Sequence, residues 1–305
     1  MTASYLKGVI WSLTSAFLWS TTFVCTRYLL VDNRTDPLTL STIRCLLGGL
    51  ILLGIGLLRP GMLKLRLRPA DLACLAGLAL CGLSGMTVLL FYGLQHTTAI
   101  NGSMLMQLSP VLIMIMGLGI GERITWRNLA AMLFSLFGTM LTVGLITQTG
   151  LNVSLSGARG DLLVLGSATC WALYAVLSKP TVQRLGGFTA TTWVMLLGAA
   201  ELVVLRLALP AEFIPPVGID AWAIILFMAI FPTALAFYAW YEALRLIDLT
   251  ILNIMQYLTP AFTILLAWWL LNERLTWLQG LGIAIVLFGV AMLRPAETRI
   301  DTDGH

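Results

Sequence analysis

The chain has 305 residues, of which 59% are hydrophobic and 10% charged, and its mean hydropathy is +0.92. Because soluble domains carry about 25% charged residues, this composition excludes a water-soluble fold. The small net charge of +4 argues against a nucleic-acid-binding protein. Apolar runs near 20 residues recur from end to end, and each can cross a hydrocarbon layer of about 30 Å as a helix.

We count ten such runs, and no gap between them has room for a soluble domain. The first run lacks a small-residue cleavage site, so we interpret it as a retained helix rather than a signal peptide. The segment Val111 to Ile120 is continuously apolar, which excludes the alternating pattern of a β-barrel. The predicted fold is therefore an all-α integral membrane protein with ten transmembrane helices. In chain order the runs are 8–29, 38–58, 71–93, 98–120, 126–146, 161–180, 188–209, 220–244, 249–271 and 277–294.

The fourth and ninth runs begin with similar sequences. The first copy is NGSMLMQLSPVLIMIMGLGIGERITW, from Asn101 to Trp126, and the second is ILNIMQYLTPAFTILLAWWLLNERLTW, from Ile251 to Trp277. Each copy places polar residues before a proline, then an apolar run, then a Glu-Arg-x-Thr-Trp turn. A motif of this length does not recur by chance, so the protein contains two copies of one unit.

Other pairs of runs repeat in the same order. Spacings of 11 and 8 residues separate Gly8, Trp19 and Arg27 in the first run, and Gly160, Trp171 and Lys179 in the sixth. The third run carries Gly-Leu-Ser-Gly at 82–85, and the eighth carries Phe-Pro-Thr-Ala at 231–234. Since each unit has five spans, the second must enter the membrane from the opposite side. We predict a five-plus-five inverted-topology repeat, with units at 1–150 and 151–305.

Basic residues are concentrated on one predicted side of the membrane. Placing the N-terminus in the cytoplasm puts twelve on the inside, against only Arg34, Arg159 and Arg274 outside, with Arg27 at a helix end. This positive-inside bias predicts that both termini are cytoplasmic. The inner residues are Lys7, Arg59, Lys64, Arg66, Arg68, Arg123, Arg127, Lys179, Arg184, Arg245, Arg294 and Arg299.

With these motifs, the chain resembles the drug/metabolite transporter superfamily, in its ten-helix EamA-like family. The resemblance rests on the inverted halves, the tryptophan in the first helix of each half, and the Ser/Thr-Pro followed by Glu-Arg and Thr-Trp in the fourth and ninth helices. It spans residues 8–294. It implies an inner-membrane transporter, commonly an exporter of amino acids and other metabolites, and the aromatic amino-acid exporters are a similar group within the family.

Helical spacing predicts a central cavity that binds a small-molecule substrate. In the ninth run, polar residues and a proline at positions i, i+3, i+4 and i+7 share one face, which must point toward partner helices or water rather than lipid. The same polar residues also suit hydrogen bonding between helices without touching substrate. The candidate cavity residues are Trp19, Thr22, Ser103, Gln107, Trp171, Tyr174, Tyr238, Asn253, Gln256 and Tyr257.

Charged residues and prolines inside the predicted spans add further candidates. Arg44 and Glu201 lie about 9 Å and 12 Å from the outer ends of their helices at about 1.5 Å per residue. They are candidates for an ion pair, and Arg44 is alternatively a candidate receptor for a substrate carboxylate. Pro110 and Pro260 are candidate hinges, because each removes a backbone donor and leaves a carbonyl free four residues earlier. No carboxylate is central, so we do not expect obligatory proton coupling.

These observations favour a secondary carrier over three other classes. A channel would need a charged ring or filter-like backbone motif, and none is evident. A multidrug or metabolite efflux protein remains an alternative, although a cationic drug would need a central acidic residue. An enzyme is disfavoured, because paired carboxylates and metallohydrolase or serine-hydrolase motifs are missing. The five cysteines show no metal-binding spacing, so we expect no metal and no cofactor. The lipid bilayer is the expected partner; the oligomeric state stays open, and a monomer is compatible with the sequence.

Overall fold

The computed structural model describes residues 3–31, 35–94, 96, 105–121, 124–143, 146–147, 150–151, 158–208, 213–271 and 276–293. Helices in these ranges form ten segments, and the predicted helical class is confirmed. Strands β1 (Ile146–Thr147) and β2 (Gly150–Leu151) form one short antiparallel pair. The helices are α1 (Ala3–Val31), α2 (Pro37–Leu58), α3 (Pro69–Ala79, Leu80–Gly85 and Met86–Leu94), α4 (Ser109–Gly117), α5 (Trp126–Thr142), α6 (Ala158–Leu185), α7 (Gly187–Ala208), α8 (Ile219–Met228, Ala229–Leu235 and Ala236–Leu246), α9 (Leu249–Met255 and Leu258–Leu271) and α10 (Trp277–Ala291).

Six helices in the described ranges are long and apolar enough to cross a membrane. Two shorter apolar helices, Ser109–Ile120 and Trp277–Ala291, coincide with the fourth and tenth predicted runs. The arrangement of ten spans as an inverted repeat stays a prediction. The long helices are Leu38–Leu58, Pro69–Leu90, Ala158–Leu185, Gly187–Ala208, Ile219–Leu246 and Leu249–Leu266.

Local sequence accounts for several helix boundaries. Asp36 caps α2 by accepting a hydrogen bond from the Thr39 N–H at 2.9 Å. Thr276 and Gln279 form a reciprocal capping box at the start of α10. Gly186 has φ of +89° and forms the single-residue turn between α6 and α7. Glycine tolerates this left-handed conformation, so the two helices can follow each other directly.

Two helices contain π-helical turns at equivalent places. In α3 the π-helix is Leu80–Gly85, and in α8 it is Ala229–Leu235, which includes Pro232. These segments contain the two short motifs that the sequence places about 150 residues apart. Because π-turns occur frequently at functional sites, their matched positions indicate a candidate site between α3 and α8.

The fourth and ninth segments are both interrupted just before their prolines. Gln107-Leu108 and Gln256-Tyr257 form turns rather than helix. The carbonyls expected to be free, at Met106 and Gln256, have donors within the chain: Ser109 Oγ donates to the first at 2.8 Å, and the Thr259 N–H to the second at 2.9 Å. The prolines therefore break the helices, but the broken turns are satisfied locally.

Hydrogen bonds between the first half of the chain (α1–α5) and the second half (α6–α10) define two ends of the helix bundle. At the Lys64 end, the Lys64 N–H donates to Thr189 Oγ1 at 3.2 Å. At the Asp36 end, the Ile214 N–H donates to Asp36 Oδ2 at 3.0 Å. Chain connectivity then gives the directions: α1, α3 and α7 run from the Lys64 end to the Asp36 end, and α2, α6 and α8 run the opposite way.

The helix pairing is nearly symmetric between the two halves. Helix α1 packs on α8 and α9, and correspondingly α6 packs on α3 and α4. Two further pairs, α2 with α7 and α5 with α10, join helices at the same position in each half. The largest group of buried apolar residues lies where α3, α6, α7 and α8 meet.

The Asp36 carboxylate joins residues of both halves at the Asp36 end. Besides the Ile214 N–H, its carboxylate accepts from the Thr39 N–H, and Arg206 Nη1 lies 3.8 Å away. Burial would raise the pKa of Asp36, but the hydrogen bonds from Thr39 and Ile214, with the nearby Arg206, outweigh it and hold the pKa below its ordinary value. The ionised carboxylate therefore stabilises the folded state.

We expect Asp36→Asn to lower the melting temperature at neutral pH, and the difference from wild type to shrink in acid. A carboxyl whose folded pKa is lowered contributes stability above its unfolded pKa of about 3.9, and this contribution is lost as the pH falls through the folded pKa. The check is thermal unfolding of both proteins in detergent from about pH 7 to about pH 3. A difference that stays constant over this range would show that the ionised carboxylate does not stabilise this end.

Candidate substrate cavity

A cavity of about 280 Å³ lies between the two halves, slightly below the roughly 300–1,000 Å³ of drug-sized ligand pockets. Seven helical segments contribute to its wall, including both π-turns and both proline-broken segments. Its size fits a small metabolite. The lining residues are Trp19, Thr22, Ser41, Arg44, Cys45, Leu83, Met86, Thr87, Met106, Gln107, Ser109, Trp171, Pro232, Thr233, Phe237, Gln256, Thr259 and Pro260.

Seven residues singled out from the sequence lie in this wall. The first helices of the two halves supply aromatic rings, Trp19 and Trp171, whose centroids are 5.6 Å apart in an edge-to-face arrangement. Phe237 of α8 packs edge-to-face against both rings, at 5.3 Å and 6.3 Å. The rings therefore form one rigid apolar surface on the cavity. The seven are Trp19, Thr22, Arg44, Gln107, Trp171, Gln256 and Pro260.

Four predicted cavity residues lie outside the wall. Tyr174 is fully buried behind Trp171, and its hydroxyl donates to the Tyr241 hydroxyl at 2.8 Å. Tyr238 packs edge-to-face against Trp11 and Phe188.

The other two lie on α9. Asn253 is buried and donates to the Leu249 carbonyl at 2.7 Å. Tyr257 is fully buried, and its hydroxyl donates to the Gln107 carbonyl at 3.2 Å. Tyr174, Tyr238 and Tyr257 therefore contact neighbouring helices, whereas the Asn253 amide bonds to the backbone of its own helix. Of the remaining candidates, Pro110 is buried outside the wall, and Ser103 lies outside the described residues.

The ion pair between Arg44 and Glu201 does not form in the structure. Glu201 accepts a hydrogen bond from Ser84 Oγ at 2.8 Å, which joins α7 to the π-turn of α3. Arg44 is not in any of the ion pairs of the described chain, and its Nε is buried without a hydrogen-bond partner. The structure therefore favours the other hypothesis for Arg44, a role toward substrate.

Several wall residues have no counterpart among the candidates from the sequence. Ser41 precedes Arg44 by three residues, so helical spacing from an intramembrane charge points to it. Thr233 lies in the π-turn of α8, and Phe237 lies just after it. A π-turn has more residues than a normal helical turn, so it changes which side chains of α8 face the cavity. Thr87 lies just after the π-turn of α3 and carried no separate signal in the sequence.

Three polar atoms buried in wall residues lack a hydrogen-bond partner: Arg44 Nε, Thr233 Oγ1 and Gln256 Oε1. The amide nitrogen of Gln256 lies 3.4 Å from Ser12 Oγ and 3.3 Å from Ser15 Oγ, which leaves its oxygen as the unpartnered atom. Buried polar groups are normally hydrogen-bonded, so these atoms are suited to a ligand or to water in the cavity. The set offers a cationic donor, a hydroxyl and a neutral acceptor.

Comparison with known proteins identifies the family. The profile of the EamA-like transporter family matches residues 6–144 and again residues 158–294. The chain belongs to the EamA-like transporter family. It is therefore a multi-pass membrane transporter of the drug/metabolite transporter superfamily, as the resemblance implies.

The family includes relatives of similar length. The chain is 30% identical over 278 residues to an uncharacterized transporter of Archaeoglobus fulgidus, covering 90% of this chain and 92% of the relative. It is 28% identical over 249 residues to the uncharacterized transporter YyaM of Bacillus subtilis, covering 80% of each. It is 26% identical over 220 residues to a probable terminal-alkyne amino-acid exporter of Streptantibioticus cattleyicolor, covering 71% and 72%. A crystal structure with 23% identity and a TM-score of 0.82 covers 93% of this chain and 95% of the other, and shares its fold.

Proposed function

We propose that the protein is a secondary transporter that exports small metabolites such as amino acids across the inner membrane by alternating access. The observation that carries this proposal is the cavity between the halves, with an aromatic surface on one part and unpartnered polar atoms on another. Such a cavity suits a small ligand with an apolar body and one polar head.

The pairing of helices supports an inverted repeat of five plus five spans. Helices α1, α2 and α3 each run opposite to their counterparts α6, α7 and α8, and the same family profile matches each half. Two halves related in this way have two packings of similar energy, one open to each side, around a site on the pseudo-twofold axis. The proposed units are residues 1–150 and 151–305.

Basic residues support an orientation with the Lys64 end in the cytoplasm. Lys64, Arg66 and Arg68 lie between α2 and α3 at this end, and Arg184 lies in the last turn of α6, paired with Asp71. The rule that cytoplasmic loops carry more Lys and Arg then places the N-terminus in the cytoplasm and the Asp36 end outside. We propose that the C-terminus is also cytoplasmic.

One relative supports the substrate class. The Streptantibioticus cattleyicolor protein is named a probable amino-acid exporter, and it aligns with 71% of this chain. The cavity has room for an amino acid, and its wall is not basic enough for a phosphate ester, because Arg44 is the one Arg or Lys among the described lining residues.

The test is counterflow in proteoliposomes that contain the purified protein. Labelled amino acids, purine nucleosides and sugars are screened outside vesicles preloaded with the same unlabelled compound. A carrier accelerates uptake when its substrate is present on the opposite side, whereas a channel does not. Accelerated uptake of an amino acid supports the proposal; uptake that trans substrate does not change would indicate a channel, and accelerated uptake confined to nucleosides or sugars would refute the amino-acid assignment.

A further inference from the structure

We infer that the cavity selects its substrate by a carboxylate, and that the preferred ligand is a small monocarboxylate with an apolar body, bound through Arg44. This inference rests on the proposed function, because it names the substrate class of the same cavity. Arg44 lies on α2 one turn after Ser41, and both residues line the cavity. The guanidinium is therefore a charged group on the cavity surface in the interior of the protein.

Arg44 has no partner of opposite charge among the residues that the structure describes. Its Nε is buried without a hydrogen bond, and the ion pairs Arg184–Asp71, Arg206–Asp36 and Arg245–Glu242 involve other arginines. A guanidinium stays protonated in proteins, so the site cannot relieve the buried charge by losing a proton. An anionic ligand supplies the missing partner. The planar fork of N–H groups matches a carboxylate in geometry, with two parallel hydrogen bonds.

The rest of the wall decides between classes of carboxylate. Among the described lining residues none is Asp or Glu, so an ammonium group on the ligand meets no opposite charge. A dianion or a phosphate ester would need a second cation, and the described lining contains only Arg44. The charge balance of the cavity therefore favours one negative charge on the ligand and makes the amine of an amino acid dispensable.

The aromatic residues of the wall favour an apolar body on the ligand. Trp19, Trp171 and Phe237 pack edge-to-face and present an apolar surface. An aromatic or branched aliphatic group covers this surface and is itself removed from water, which adds affinity in proportion to the buried area. Thr233 also lines the cavity, and its Oγ1 has no hydrogen-bond partner within the described chain.

The experiment compares ligands that share a body and differ in the head group. Purified wild-type protein in detergent is titrated with hydrocinnamate, phenylalanine, phenethylamine and hydrocinnamyl alcohol, and its melting temperature is recorded. Isocaproate, leucine and isoamylamine form a second series with an aliphatic body. We expect each carboxylate without an amine to stabilise the protein at least as well as the amino acid. The amine and the alcohol should bind at least about tenfold more weakly.

Variants of Arg44 assign this selectivity to one side chain. Arg44→Gln should weaken hydrocinnamate roughly 10- to 100-fold, and Arg44→Lys should give an intermediate loss because it keeps the charge without the fork. Arg206→Gln is the matched control, since Arg206 is a partly buried arginine outside the cavity. The control should keep wild-type affinity even if it lowers the starting melting temperature. If Arg44→Gln does not fold, the wild-type ligand series decides.

Three results would overturn the inference: stabilisation by the amine or alcohol equal to that by the carboxylate, unchanged carboxylate affinity in Arg44→Gln, or no stabilisation by any carboxylate at millimolar concentration. Failure of this inference can be distinguished from failure of the proposed function. Selective binding of carboxylates without counterflow would refute the carrier and keep the inference. Counterflow of an amine or a sugar without carboxylate binding would keep the carrier and refute the inference.

Discussion

Gly138→Ala is expected to lower the melting temperature of the protein by several degrees. Gly138 lies where α5 meets α10, and a Cβ there would be 2.7 Å from the Gly282 carbonyl oxygen and 2.8 Å from the Val286 nitrogen. Both are backbone atoms of a helix, so the two helices must separate to admit the methyl group. Overpacking of this kind costs about 1–3 kcal/mol, which exceeds the roughly 1 kcal/mol that alanine adds through helix propensity.

Gly280→Ala provides the matched control on the same pair of helices. Gly280 lies on α10, and a Cβ there meets no atom within 4 Å. Its replacement should leave the melting temperature unchanged or raise it slightly, because alanine favours the helix. Thermal unfolding of both variants in the same detergent gives the comparison. Equal melting temperatures would show that α5 and α10 do not pack as closely as the structure indicates.

Ligand binding should survive in the folded fraction of Gly138→Ala. The described residues that line the cavity come from other helices, and none belongs to α5 or α10. These two helices occupy the same position in each half and pack mainly on each other. The pair therefore contributes to the stability of the assembled halves, whereas the site is formed elsewhere.

Much of the helical fold could be predicted from the sequence, because a lipid environment leaves so few options. A run of about 20 apolar residues must satisfy its backbone internally, so its length and composition already indicate a helix. The second copy of the Ser/Thr-Pro motif predicts that the chain contains two copies of one unit. The π-turn of α8 could not be predicted in this way, since Pro232 signals a disturbed helix but does not specify the number of residues per turn.

The residues of the cavity wall are harder to predict from sequence, and α9 shows why. On a continuous helix, Asn253, Gln256, Tyr257 and Pro260 share one face. The turn at Gln256-Tyr257 breaks that helix, and only Gln256 and Pro260 line the cavity. Asn253 is buried and bonds to the Leu249 carbonyl of its own helix, and Tyr257 bonds to the Gln107 carbonyl. Periodicity assumes a constant phase, and a proline break changes it. We therefore expect Asn253→Ala to reduce stability rather than ligand affinity.

For Arg44 the sequence identifies the residue but leaves two roles open. Its depth in a predicted span marked it as a candidate, but the sequence could not distinguish an ion pair with Glu201 from a role toward substrate. That choice depends on how α2 and α7 pack, which is a matter of tertiary structure. In the structure Glu201 is hydrogen-bonded to Ser84, and Arg44 faces the cavity.

Trp171→Ala is expected to reduce transport at least about tenfold while the protein remains folded. The Trp171 ring lines the cavity and contacts Trp19, Phe237 and Trp240 at centroid distances between 5.6 Å and 6.3 Å. Its removal deletes the centre of the apolar surface, and the loss of about 1.4 kcal/mol of ligand contact already corresponds to a factor of ten. Trp171→Phe keeps part of the surface and should give an intermediate rate.

The control for this prediction is Trp268→Ala, because Trp268 lies on α9 with 53% of its surface exposed, outside the cavity wall. Initial counterflow rates, normalised to the amount of protein inserted, should stay near wild type in the control and fall in Trp171→Ala. Melting temperatures measured in parallel separate a loss of binding surface from a loss of fold. Normal counterflow in a folded Trp171→Ala protein would mean that substrate does not pass along this aromatic surface, and the transport pathway would then have to lie elsewhere between the two halves.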